Sequence, residues 1–171
     1  FAIFARNGRW LDLKYVRRVL DRQGRVLRDN TTYYDEWLSP SVRLDRLIAT
    51  AGQRDRRAIP ARAAYLTTRL LREVITPGYS APVRRTNIPV AGKTGTSSAT
   101  MDVWFVAFSS RWLTTTWMGD DERVRPLGKH DAAYMTVVPM WARYMNEVTQ
   151  GLVHGELPMS VAISKRLSPF C

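Results

Sequence analysis

Apolar residues recur along the chain with two different periods, and the changes of period mark the elements. Behind Pro60, the residues Ala63, Ala64, Thr67, Leu70, Leu71, Val74 and Ile75 fall on one stripe at helical spacing. Arg62, Arg69, Arg72 and Glu73 lie mostly on the other side. Pro60 suits the first helical position, and Pro77-Gly78 ends the run. A second helix is predicted from about Pro139, with Val137, Trp141, Tyr144, Met145 and Val148 on its apolar side and Gly151 as its stop. Between the two lie β-type runs at 90–96, 103–108 and 113–118. The run Val103-Trp104-Phe105-Val106-Ala107-Phe108 is apolar on both faces, as a central strand is. Ser109-Ser110-Arg111 is short enough for a hairpin, so the three runs read as an antiparallel meander.

The rest of the chain is less regular. Phe1 to Gly8 reads as a helix end with glycine as its stop. Runs at 15–20 and 25–27 flank Asp21-Arg22-Gln23-Gly24, a hairpin with glycine in the turn. Residues 80–89 read as a loop. Residues 31–58 have room for one short helix and read as a variable insertion. Residues 152–171 read as a loosely structured tail, which leaves 1–151 as the expected domain.

Composition narrows this picture without changing it. Apolar residues make up 45% of the 171, enough for a core, and six tryptophans suit a packed domain. The net charge of +11 admits nucleic acid, an anionic surface or an acidic polymer as partner. The arginines are scattered and no basic stretch is interleaved with aromatics, so no nucleic-acid partner is expected. The single cysteine, Cys171, allows no intrachain disulfide. No apolar run approaches the ~20 residues of a membrane span. The chain begins at Phe1, inside what reads as a helix already under way. A piece of a longer protein is therefore expected, and a missing leader or anchor carries no information.

The chemistry concentrates in Ala91-Gly92-Lys93-Thr94-Gly95-Thr96-Ser97. Gly92-Lys93-Thr94 matches the end of a phosphate-gripping loop, G-x-x-x-x-G-K-[ST]. The first glycine of that loop would be position 87, which is Asn87, and Pro89 removes a backbone donor inside it. A strand, not a helix, follows. The other reading is a K-T-G strand that grips a carboxylate. Lys93 supplies a compact positive charge. Thr94 and Thr96 supply hydroxyls, and Gly95 lets an extended substrate lie against the strand edge. The Thr96 N–H is suited to an oxyanion. Lys93 and Thr96 are the catalytic candidates; Lys93, Thr94, Gly95, Thr96 and Ser97 are the substrate-binding candidates.

Around this motif the chain resembles the C-terminal half of the transpeptidase domain of class A, bifunctional penicillin-binding proteins. The resemblance runs through Ala91–Thr96, Asp102, Trp104-Phe105, Trp117, Gly119, Asp121, Pro139, Trp141 and Tyr144-Met145, in that order. The helix end at Phe1 to Gly8, the small hairpin and the helix after Pro60 fit too. Residues 31–58 and the tail lie outside it. The resemblance implies an α+β fold, an antiparallel sheet with packed helices, as part of a penicillin-binding/β-lactamase-like transpeptidase fold. It implies acyl transfer on peptidoglycan stem peptides ending in D-Ala-D-Ala, with β-lactams as covalent inhibitors and no cofactor. It also implies a cell-envelope location on the outer face of the bacterial inner membrane. A non-catalytic penicillin-binding-like module and a serine β-lactamase relative are the alternatives.

The nucleophile of that family is absent. No serine in the 171 residues has a lysine three positions later, and Ser164-Lys165 are adjacent, so they do not share a helix face. The S-x-N motif is missing; Tyr144-Met145-Asn146 has the shape of its Y-x-N variant but follows the K-T-G in the chain. Both motifs are expected upstream of Phe1, and the chain alone is expected to be inactive. His130 and His154 have no neighbours at ligand spacing, so no metal is expected. Asp102 reads as a turn or hydrogen-bonding residue, and Asp121, beside Asp120, as a turn former. Ser98 reads as cleft lining or plain loop.

Overall fold

A computed structural model describes residues 1–11, 13–33, 35, 37–51, 56–75, 81–122, 124–128 and 131–157. It divides into two compact units, residues 10–56 and the remainder.

The larger unit holds the sheet. β3 (Ala91–Thr96), β4 (Asp102–Phe108) and β5 (Leu113–Gly119) form an antiparallel meander with β4 in the centre, as the sequence pattern predicts. Val103, Phe105 and Ala107 point to one face of β4 and are fully buried there. Helix α5 (Val137–Val148) covers that face, and the Phe105 and Trp141 rings meet edge-on, 5.4 Å apart. Trp141 donates its indole N–H to the Thr114 hydroxyl, and Thr116 donates to the Val137 carbonyl at 3.1 Å. These bonds tie the helix to β5. Ala91 and Phe108 form a second, smaller cluster with Leu157, against which Phe4, Ala5 and Leu71 pack.

Both long helices of this unit bury part of the predicted stripe, with the buried arc rotated from it. In α5 the buried residues are Val137, Val138, Trp141, Ala142 and Met145, while Tyr144 is 52% exposed and Val148 43% exposed. In α3 (Ala61–Ile75) they are Ala64, Tyr65, Thr68 and Ile75, while Leu70 is 68% exposed. Each helix carries more apolar residues than one contact arc can hide, so some of them stay exposed. Thr68 enters because its hydroxyl donates to the Ala64 carbonyl, which removes the cost of burying it. The expected loop at 80–89 contains one helical turn, α4 (Ala81–Arg84), whose Val83 joins the core. The expected end of α3 at Pro77-Gly78 lies outside the described residues. The first helix, α1 (Ala2–Ala5), ends through Gly8, which sits at φ +88°; a Cβ there would stand 2.4 Å from the Ile59 carbonyl oxygen.

Among its described residues the smaller unit contains the expected hairpin, β1 (Arg18–Leu20) paired antiparallel with β2 (Val26–Asp29), and one helix, α2 (Pro40–Ala51). The hairpin thus groups with the segment that reads as an insertion. The turn is closed by Asp21, whose carboxylate accepts the Gln23 N–H at 2.9 Å and the Arg25 N–H at 2.8 Å. Among the described residues of this unit only Thr31 and Leu38 are buried. Its coherence rests on carboxylates. Asp29 accepts from Thr31 and Arg46, and Asp35 from Thr32.

All three carboxyls titrate below the ordinary 3.8. The Arg25 side chain is the main cause for Asp21, the Thr31 hydroxyl for Asp29 and the Thr32 N–H for Asp35. Lowered values in the folded state mean that the contribution is complete above the ordinary value and disappears as pH falls through the lowered ones. Hydrogen exchange of the β1 and β2 amides, followed against a β4 amide and corrected for the intrinsic rate, which is itself slower in acid, should therefore accelerate at pH 3 relative to pH 6. Asp21→Asn should already show part of that acceleration at pH 6. A hairpin equally protected at both pH values would refute this account.

Candidate functional site

β3 is an edge strand. It pairs with β4 from Ala91↔Phe108 to Thr96↔Val103, and among the described residues no strand pairs with its other side. The register decides where each motif residue points. Lys93 and Gly95 lie opposite Val106 and Trp104, on the face away from α5; Thr94 and Thr96 lie opposite Phe105 and Val103, on the α5 side. The sequence motif thus divides across two faces of one strand.

The backbone direction follows from the ladder. Just past β3, the Ser97 N–H donates to the Asp102 carbonyl at 2.9 Å, so Ser97 faces β4. Antiparallel ladders alternate, so Gly95 and Lys93 also bond inward, and Thr94 and Thr96 turn their N–H and C=O outward. Lys93 is exposed, and its ammonium donates to the Thr94 carbonyl at 2.8 Å, which puts the positive charge at that outer edge. A cation, an outward carbonyl and an outward N–H therefore follow one another along the free side of β3.

The two motif glycines differ. A Cβ on Gly92 would stand 2.7 Å from the Val106 carbonyl oxygen and 2.9 Å from the Ala107 Cβ, so close pairing with β4 requires glycine there. A Cβ on Gly95 would meet only the Trp104 Cβ, at an ordinary 3.5 Å. The fold itself has no need of glycine at position 95.

Beyond Thr96 the chain turns through Ser98–Thr100 into β4. The Ser97 hydroxyl accepts the Asp102 N–H at 2.7 Å, so this side chain is engaged in the turn, while Ser98 is exposed. Asp102 is only 7% exposed, and its carboxylate accepts the Trp117 indole N–H at 3.1 Å, a hydrogen-bonding role as expected of it. Trp104 and Trp117 lie side by side on the Lys93 face, ring centroids 6.0 Å apart, and Trp104 is 43% exposed. Sequence reading passed over this pair as core and strand residues; only the register places Trp104 beside Gly95.

Three other candidates resolve. The phosphate-loop reading fails on geometry, because Lys93 sits inside a strand and only a single three-residue turn follows it, not a helix that could present N–H groups to a phosphate. Asp121 lies in the turn after β5, as expected, and the Asp120 carboxylate braces that turn by accepting the N–H groups of Glu122, Val124 and Arg125. Tyr144 is exposed on α5, which covers the face opposite Lys93. Among the described residues no three of His, Cys, Asp or Glu gather as a metal would require, and no helix is long and apolar enough to cross a membrane. His130 and Ser164-Lys165 lie outside the described residues.

No protein-family model matches the chain. Individual relatives do. Penicillin-binding protein 1A of Aquifex aeolicus is 27% identical over 150 residues, covering 88% of this chain and 18% of that protein. The protein of the same name from Rickettsia prowazekii is 28% identical over 170 residues, covering 98% of this chain and 21% of its own length. That from Pseudomonas aeruginosa is 37% identical over 92 residues, 52% of this chain and 11% of the relative. The crystal structure of penicillin-binding protein 1A from Haemophilus influenzae superimposes with a TM-score of 0.70 at 21% identity, over 92% of this chain and 26% of that one, and shares its fold. The chain thus spans about a fifth or less of the curated relatives it matches.

Proposed function

As a member of the class A penicillin-binding proteins, related to penicillin-binding protein 1A along 88–98% of its length, this chain is, we propose, the substrate-gripping wall of a peptidoglycan D,D-transpeptidase. The observation that carries the proposal is the free edge of β3, where glycine stands at a position whose space the chain leaves open. A stem peptide ending in D-Ala-D-Ala adds to that edge as an extended strand. Lys93 attracts its terminal carboxylate, and the Thr94 and Thr96 hydroxyls serve as further donors to it. The outward Thr96 N–H holds the oxygen of the scissile carbonyl as it becomes an oxyanion. Ser97 ends this wall.

The nucleophile in this reading is a serine elsewhere in the full-length protein, since none of the 171 residues forms S-x-x-K. Its Oγ attacks the penultimate D-Ala carbonyl while the paired lysine takes the proton. The C–N bond breaks, the terminal D-Ala leaves, and an amine of a neighbouring stem releases the acyl group. A β-lactam acylates the same serine. In this reading residues 1–151 belong to the transpeptidase domain, residues 152–171 form its tail, and the protein works in the cell envelope, on the outer face of the inner membrane.

The test is labelling by a fluorescent penicillin. The product of the complete natural reading frame should form a long-lived adduct that mass spectrometry maps to a serine outside these 171 residues, and the 171-residue chain alone should stay unlabelled. A full-length protein that never labels would be a binding module rather than an enzyme. An adduct that hydrolyses within seconds would point to a β-lactamase. Labelling of the isolated chain would end the argument that the nucleophile lies elsewhere.

A further inference from the structure

Three strands are pinned together at the end of the sheet where Thr96 sits. Ser97 donates its N–H to the Asp102 carbonyl at 2.9 Å and accepts the Asp102 N–H on its hydroxyl at 2.7 Å. In a regular rung the Asp102 N–H would bond to the Ser97 carbonyl. Here that carbonyl accepts the Thr100 N–H at 3.1 Å and closes the turn. The hydroxyl therefore stands in for a backbone acceptor, and both the rung and the turn are satisfied at once. The turn has need of such support. Ala99 and Thr100 occupy the left-handed region at φ 57° and 54°, which is unfavourable for both, and more so for a β-branched residue. Asp102 is anchored in turn, since its carboxylate holds the Trp117 indole N–H. Gly119 leaves room for the pair, because a Cβ there would stand 2.7 Å from both the carboxylate and the ring.

We infer that Ser97 is a positioning residue: its hydroxyl completes the last rung between β3 and β4 and thereby keeps Thr96 extended at the end of the edge strand, its carbonyl turned outward beside an N–H that the Gly95 rung already aims to that side. This rests on the proposed acyl-transfer reading and replaces a direct substrate contact by Ser97. The peptide before Ser97 carries the Thr96 carbonyl, and the bond from the Ser97 N–H to the Asp102 carbonyl turns that carbonyl to the free edge. The Thr96 N–H is turned outward by the Gly95 rung opposite Trp104, and the Ser97 rung keeps the strand end from fraying back to it. Without the hydroxyl, the Asp102 N–H must compete with the Thr100 N–H for the Ser97 carbonyl, and the strand end frays by one residue.

The experiment follows two readouts in the full-length protein. One is hydrogen exchange at the Asp102 amide, resolved by mass spectrometry with fragmentation; the other is the second-order rate of acylation by a fluorescent penicillin. Ser97→Ala should speed Asp102 exchange about fivefold and slow acylation by about the same factor, as the loss of one hydrogen bond would. Ser97→Thr keeps the hydroxyl and should restore both. A slower acylation with Asp102 still protected would mean that Ser97 touches substrate directly and would overturn the inference. So would a deprotected Asp102 with acylation unchanged. The wild-type protein supplies a check that needs no variant: its Asp102 amide should be protected to the level of Trp104, and free exchange there would remove the rung itself. Lys93→Ala distinguishes the two levels, since normal acylation in that variant would discard the site and not only the part assigned to Ser97.

Discussion

Lys93→Ala should slow acylation of the full-length protein by penicillin on the order of 100-fold while leaving the amount of folded protein unchanged. The size follows from charge. A hydrogen bond to an ionised group contributes about 1.5–3 kcal/mol, and the bound carboxylate would lose its cationic partner outright. The lack of an effect on folding follows from position. Lys93 is exposed, and its bond in the fold is to a carbonyl at the strand edge, which water replaces easily. Lys93→Arg should recover only part of the rate, because a planar guanidinium on a longer stem does not occupy the place of a compact ammonium. Time courses of in-gel fluorescence measure the rate, and circular dichroism melts measure the fold. Unchanged labelling of the alanine variant would end the role assigned to this lysine.

The second large effect separates the two motif glycines. Gly92→Ala should destabilise by about 2–3 kcal/mol, because its methyl group would meet backbone at 2.7 Å, and backbone in a paired strand cannot move aside. In a chain of this size that lowers the melting temperature by roughly 5–10 °C. Gly95→Ala should change stability by less than about 0.5 kcal/mol, since its methyl group meets one side-chain carbon at 3.5 Å. It should nevertheless slow penicillin acylation about tenfold or more, because the methyl group then stands where the substrate approaches the strand. A Gly95→Ala protein that acylates normally would show that nothing lies against this stretch of β3. A Gly92→Ala protein that melts like the wild type would contradict the pairing of Gly92 with Ala107.

The contrast between these glycines marks the limit of the sequence. Both stand in the same motif, and as letters they are equal. Their difference comes from the ladder: Gly92 lies opposite Ala107, where the strands draw close, whereas Gly95 lies opposite Trp104, whose ring turns aside toward Trp117. The helices teach the same lesson. The apolar periods of α3 and α5 place both helices correctly, but Leu70 and Tyr144, assigned inward, are exposed, and Tyr65 and Ala142 take the buried places. A period is a property of one segment, and burial is a property of two.

The sequence by itself determined that residues 91–119 form a three-stranded meander with the most apolar run at its centre, that a helix stands on either side of it in the chain, and that Asn87 and Pro89 bar a phosphate loop. Those conclusions rest on alternation, helical spacing and the missing N–H of proline, which act over a few residues. Only the tertiary structure decided which side of each helix is buried, that β3 is an edge, that the Thr96 N–H points outward and that the Ser97 hydroxyl serves the turn. Each of these depends on what a residue pairs with across the sheet, and that partner is set by register and packing between segments far apart in the chain.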